Sequence, residues 1–133
     1  MVKSCLFVNS DPVEQSTFIE ALGDVSPEAF CMMASDDAEA LDIMKAGSLV
    51  PDFIIIDLEM PGIDAKRFLH HVKNVESLRD VPVIVHCQHP NAYAVMELKE
   101  MGAFAIYYRP YDYWGICNIL NLYLNDDVKA LMN

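Results

Sequence analysis

Several side chains capable of chemistry stand directly behind short apolar runs, where a strand would end. Asn9, Ser10 and Asp11 follow Cys5-Leu6-Phe7-Val8; Asp57 and Glu59 follow Phe53-Ile54-Ile55-Ile56. Cys87 follows Val83-Ile84-Val85-His86, and Arg109 follows Phe104 to Tyr108. Carboxylates gathered at one point suit a hard divalent cation. His86, Cys87 and His89 instead carry zinc-type ligands. Alternation along a strand sends His86 and Cys87 to opposite sides, and no second His/Cys pair lies near in sequence, so zinc is not expected. His70 and His71 read as solvated. The four cysteines, Cys5, Cys31, Cys87 and Cys117, show no CxxC spacing and read as free thiols. A flavin phosphate needs a Gly- or Ser/Thr-rich cradle, whereas the loop Asn9-Ser10-Asp11-Pro12 has no glycine.

The elements that must position these groups alternate along the chain. Lys3 to Val8 reads as a strand buried on both faces. Asp11 then caps a helix, with Pro12 at its first position, Glu14 closing a capping box, Phe18, Ala21 and Leu22 facing inward, and Gly23 at its end. Ala29 to Ala34 reads as a second strand. Asp36 and Glu39 open a second helix in capping-box spacing; Ala40, Leu41 and Met44 face inward, and Gly47 stops it. Phe53 to Ile56 is the strongest strand, because branched side chains suit a pleated surface. Asp64 caps a third helix carrying Phe68, Leu69 and Val72. Pro82 to Val85 is a strand, Asn91 to Met101 a helix, Phe104 to Tyr108 a strand, and Tyr113 to Leu124 a last helix. Five strands alternating with five helices predict an α/β fold, a doubly wound parallel sheet covered on both faces. In such sheets ligands sit beyond the C-terminal strand ends, which is where the residues above collect.

Composition bounds the reading. At 133 residues the chain is one domain by length, and 53% apolar content is enough for a single core rather than disorder. Twenty acidic against nine basic residues leave a net charge of −11. So acidic a surface repels phosphate backbones and anionic lipid, so neither nucleic acid nor a membrane is an expected partner. Apolar runs are too short to cross a bilayer and the start lacks a signal-peptide stretch, so the cytoplasm is the expected compartment.

The stretch from Pro51 to Ala65, PDFIIIDLEMPGIDA, resembles the block of apolar strand, phosphoacceptor aspartate and Met-Pro loop of response-regulator receiver domains. Ala34-Ser35-Asp36-Asp37-Ala38-Glu39-Ala40-Leu41, Val81 to Val85, and Gly102-Ala103 followed by Arg109-Pro110-Tyr111 agree in order. The resemblance covers essentially the whole chain. It implies the (βα)5 flavodoxin-like fold with strand order 2-1-3-4-5, and a role in two-component phosphorelay signalling as a module rather than an enzyme. A histidine kinase or another signalling protein is the implied partner.

In that family two acids after the first strand join the acceptor aspartate around a divalent cation, a Thr or Ser follows the fourth strand, and a Lys follows the fifth. Here Asp57 stands at the acceptor position, but Asn9 and Ser10 replace the acids, Cys87 the Thr or Ser, Arg109 the Lys, and Ala65 the glycine after the loop aspartate. With two carboxylates missing, no metal is expected, and Mg²⁺ would bind only in roughly the tens of millimolar; it enters only if the pocket is functional. Asp11 is expected to serve as a cap and Glu59 as a solvated loop carboxylate, although either could swing toward a cation. Asp57 and Arg109 are expected to form a bidentate ion pair, whose loss in Asp57→Asn should lower stability. Cys87 beside Arg109 opens a second possibility, a lowered thiol pKa and redox sensing.

Tyr107, Tyr108, Tyr111, Tyr113 and Trp114 crowd the last strand and helix; alternation keeps Tyr107 and Tyr108 from both being core, and Tyr111, Tyr113 and Trp114 are expected on the side toward the fourth helix. Aromatic side chains favour interfaces, so a contact face and a homodimer are expected there. The reading is a single receiver domain over residues 1–133 without an output domain. It is expected to act by phosphorylation-independent or weakly phosphorylated contact; the alternatives are a Mg²⁺-dependent phosphoacceptor at Asp57 and a thiol sensor at Cys87.

Overall fold

The computed structural model describes residues 3–46, 50–110 and 112–125. Its elements alternate: β1 (Ser4–Val8), α1 (Pro12–Val25), β2 (Phe30–Ala34), α2 (Asp37–Ala46), β3 (Phe53–Asp57), α3 (Ala65–Lys73), β4 (Val83–Cys87), α4 (Ala92–Glu100), β5 (Ala105–Tyr108) and α5 (Tyr113–Asn125). The strands form one parallel sheet in the order β2-β1-β3-β4-β5. Every residue of β1, β3 and β4 is buried. That is why these strands read as unbroken apolar runs rather than alternating ones.

Alternation divides the core into two layers. Leu6, Val8, Ile54, Ile56, Val83 and Val85 face the side of α2, α3 and α4, against Met44, Phe68, Leu69 and Leu98. Phe7, Phe53, Ile55 and Ile84 face α1 and α5, against Phe18, Leu22, Leu120 and Tyr123. The Phe7 and Phe18 rings stack at 3.9 Å between centroids. Each such side chain, fully buried, contributes about 1.5–3 kcal/mol.

The caps place the helix starts against the strand ends. Asp11 accepts from the amides of Val13 and Glu14, Asp64 from Arg67, and Asn91 from Ala94. The Asp36–Glu39 box forms with a shift: Asp36 accepts the Glu39 amide, and Glu39 reaches the amide of Ser35. Two local expectations fail. Gly23 does not end α1, which runs on to Val25, because the helix continues to pack along α5. Glu14 does not close a capping box: the Asp11 amide donates to Asn9 Oδ1, and the Glu14 carboxylate turns elsewhere. Gly47 lies outside the described residues. Gly62 has φ +79°, a left-handed conformation that lets the chain turn sharply after Pro61.

Candidate functional site

The ends of β1, β3, β4 and β5 bring Asn9, Asp57, Cys87 and Arg109 to one rim, because adjacent strands run in parallel register, Asp57 beside His86 and Cys87 beside Tyr108. An open cleft of about 500 Å³ lies over this rim, lined by Ser10, Asp11, Glu59, Met60, Gln88 and Arg109 among others.

Arg109 organises it. Its Nη1 lies 3.4 Å from Asp57 Oδ2 and its Nη2 lies 3.1 Å from Glu14 Oε2. The bidentate Asp57–Arg109 pair predicted from sequence is therefore not formed: the fork is split between two carboxylates. The cause is positional. α1 starts at once after the β1 end, and its first turn carries Glu14 over the pocket. No local pattern announces Glu14, whose spacing from Asp11 suggests only a cap; the signal is that an arginine deep in a pocket wants more than one acceptor.

Asp57 is 2% exposed, and its Oδ1 accepts the Glu59 amide at 2.9 Å. Burial raises its pKa, the Glu59 amide and Arg109 pull it back, and the net shift is upward. Glu14 behaves alike: burial raises it, Arg109 opposes, and it stays above its ordinary value. One guanidinium shared by two carboxylates does not fully offset their desolvation. The contact with Arg109 thus offsets only part of what burial costs Asp57, and Arg109 has Glu14 as a second partner.

The neutral residues at the β1 end are engaged locally. Asn9 Oδ1 accepts from the Asp11 amide at 2.8 Å, and Ser10 Oγ donates to the Pro61 carbonyl at 3.3 Å. Glu59, a solvated loop carboxylate as expected, also accepts from the amides of Gln88 and His89. It thereby ties the loop after β3 to the loop after β4. Burial and Glu59 push the Cys87 thiol up to about 11. The thiol-sensor reading required the opposite shift; a thiol this weakly acidic holds little thiolate near neutral pH. His86 points to the other side of the sheet, lining a small cavity with Phe7, Phe18 and Ile55. Burial and Arg109 lower its pKa to about 4, so the ring is neutral.

The carboxylates at this rim are already engaged. A hard divalent cation needs several anionic oxygens. Asp57 already faces a guanidinium, Asp11 caps α1, and Glu59 is held by two amides. Among the described residues no group of three His, Cys, Asp or Glu is disposed to hold a metal.

A family model described as the response regulator receiver domain matches residues 6–121. The chain belongs to this family. It is similar to sporulation initiation phosphotransferase F of Bacillus subtilis (strain 168), with 28% identity over 91 residues, 68% of this chain and 70% of that protein. Other curated relatives are much longer, and the chain spans 6% to 17% of their length. Among solved structures, the phosphorylated cyanobacterial phytochrome response regulator RcpA superimposes with a TM-score of 0.83 at 19% identity, over 93% of this chain and 95% of that one. The chemotaxis response regulator CheY4 of Vibrio cholerae gives 0.78 at 20% identity, over 91% and 98%. The protein is thus a two-component signalling domain, and among its described residues no helix is long and apolar enough to cross a membrane.

The aromatic face of this receiver domain is divided rather than continuous. Tyr107 is half-buried toward α1 and α5, its hydroxyl 2.9 Å from that of Tyr123. Tyr113, expected to face α4, instead donates its hydroxyl to Asp24 of α1. The Tyr107 phenol is drawn inward toward α5, whereas the Tyr113–Asp24 bond joins α5 to α1 at the surface. Tyr108 and Trp114 remain exposed, at 61% and 72%. Tyr111 lies outside the described residues.

Proposed function

We propose that this receiver domain signals by contact with a partner protein, and that Arg109 supplies at Asp57 the counter-charge a divalent cation would otherwise provide. The observation that carries this reading is the Arg109 fork resting on Asp57 and Glu14. It is supported by Asn9 and Ser10, whose side chains bond locally. The partner is a histidine kinase or another signalling protein. Its docking face includes Tyr108 and Trp114, and a second copy of the chain is one candidate for that place. The charge of −11 disfavours nucleic acid and anionic membranes as partners.

The second reading, phosphorylation of Asp57 with Mg²⁺, is favoured by one feature. Asp57 ends β3 in contact with Arg109, which lines an open cleft large enough for a phosphoryl group. A Mg²⁺ titration by calorimetry, with and without beryllofluoride, separates the two. The first reading expects binding no tighter than roughly tens of millimolar, and tighter binding in the Asn9→Asp, Ser10→Asp double variant. Submillimolar affinity in the unaltered protein would overturn it.

A further inference from the structure

Two of the four cysteines, read from sequence as free buried thiols, meet in the fold. Cys5 of β1 and Cys31 of β2 are direct partners in the parallel register. Neighbouring strands lie about 4.8 Å apart, within the roughly 4.4–6.8 Å that Cα atoms of a disulfide span. Both side chains lie on the α1/α5 side of the sheet. Cys5 is wholly buried, whereas Cys31 is half-buried on β2, the outer strand. The two thiols influence each other's ionisation: the neighbouring Cys5 thiol and the Phe7 backbone hold the Cys31 thiol below its ordinary range despite burial, while Cys5 is pushed up. In its protonated form the Cys31 thiol faces the Met32 carbonyl at 3.5 Å. This pair has what Cys87 lacks, a more acidic, reachable sulfur with a second thiol behind it.

We propose that Cys5 and Cys31 form a dithiol that hydroperoxides oxidise to a disulfide across the β1–β2 edge, Cys31 attacking first and Cys5 resolving. In the first step the Cys31 thiolate attacks a peroxide oxygen. The O–O bond breaks, Cys31 becomes a sulfenic acid, and the departing hydroxide or alkoxide takes up a proton. In the second step the Cys5 sulfur gives up its proton and attacks the Cys31 sulfur. The S–S bond forms, the S–O bond breaks, and hydroxide leaves with that proton as water. Two thiols lose two electrons and two protons, and hydrogen peroxide is reduced to two waters. The result ties the outer strand covalently to the centre of the sheet. The inference is independent of Asp57 and of the contact reading.

The test treats the full chain with hydrogen peroxide, blocks residual thiols with N-ethylmaleimide, and maps peptides after cleavage before aspartates. That cleavage separates Cys5, ahead of Asp11, from Cys31, between Asp24 and Asp36. The expected product is a peptide pair joined through Cys5 and Cys31, with alkylatable thiols falling from four to two. Cys31→Ser, at a half-buried site, should leave Cys5 reduced. Cys5→Ala should leave a Cys31 sulfenic acid that dimedone captures. Oxidation of Cys87 or Cys117 before Cys31, a sulfonate at Cys31 without a cross-link in the unaltered protein, or a cross-link that forms only in denaturant would each overturn the proposal.

Discussion

Two buried aspartates in this molecule each meet an arginine, with opposite consequences. Asp37, at the start of α2, is 1% exposed. Its Oδ2 accepts from Arg67 Nε at 3.0 Å and Nη2 at 2.9 Å, and its Oδ1 accepts the Asp64 amide at 3.0 Å. Burial pushes its pKa up, but these three donors outweigh it and the net shift is downward. Asp57 is as little exposed but more heavily desolvated, it has one amide and one guanidinium nitrogen at 3.4 Å, and its net shift is upward. An arginine nearby is therefore not enough to hold a buried carboxylate ionised; the number and alignment of donors must outweigh its desolvation. The first aspartate joins α2 to α3, and the second is left poorly satisfied at the rim of the candidate site.

The largest expected effect breaks the well-satisfied member. Asp37→Ala should cost about 2 kcal/mol near neutral pH, read from urea unfolding, chiefly because the part-buried Asp64 amide loses its acceptor, while the Arg67 fork is largely solvated. Since the folded pKa of Asp37 is depressed, its contribution is present above its unfolded value near 3.8 and fades as pH falls through the folded one. The variant and the parent should thus converge in acid.

Asp57→Asn should move the other way and by less, stabilising by about 1 kcal/mol and raising Tm by about 3 °C at pH 7. Here the folded pKa lies above the unfolded one, so the ionised carboxylate carries a cost that appears as pH rises through the folded value. Below pH 3.8 both states are protonated, and the gain should vanish. A lower Tm at pH 7 would mean that the Arg109 contact outweighs burial after all.

Glu14→Gln sharpens the contrast. Without the competing carboxylate, Arg109 can align both nitrogens on Asp57, whose pKa should fall toward its ordinary range in a carbon-detected NMR titration. The stability change should stay within about 0.5 kcal/mol, since the Glu14 end of the pair is partly solvated. The smallest effect concerns the loop latch. Glu59→Gln should leave Tm almost unchanged but bring the Cys87 thiol down from about 11, seen as a shift in the pH dependence of its alkylation.

What the chain determines locally is legible in its order of residues. Uninterrupted apolar runs mark β1, β3 and β4 because strands covered on both faces have no polar side to show, and Asp11, Asp64 and Asn91 mark helix starts because a cap bonds only to the next turn. Asp57 and Arg109 could be placed on one rim because parallel strands end together. Gly23 misled, since a glycine ends a helix only where packing does not carry it further. What only the tertiary structure decided are pairings between segments far apart in sequence: Glu14 with Arg109, Glu59 with the loop after β4, Tyr113 with Asp24, Asp37 with Arg67, and Cys5 with Cys31. Each depends on strand register and helix placement together. Local periodicity carries information over one or two turns, whereas a buried charge or thiol takes its character from whichever distant donor the sheet brings to it.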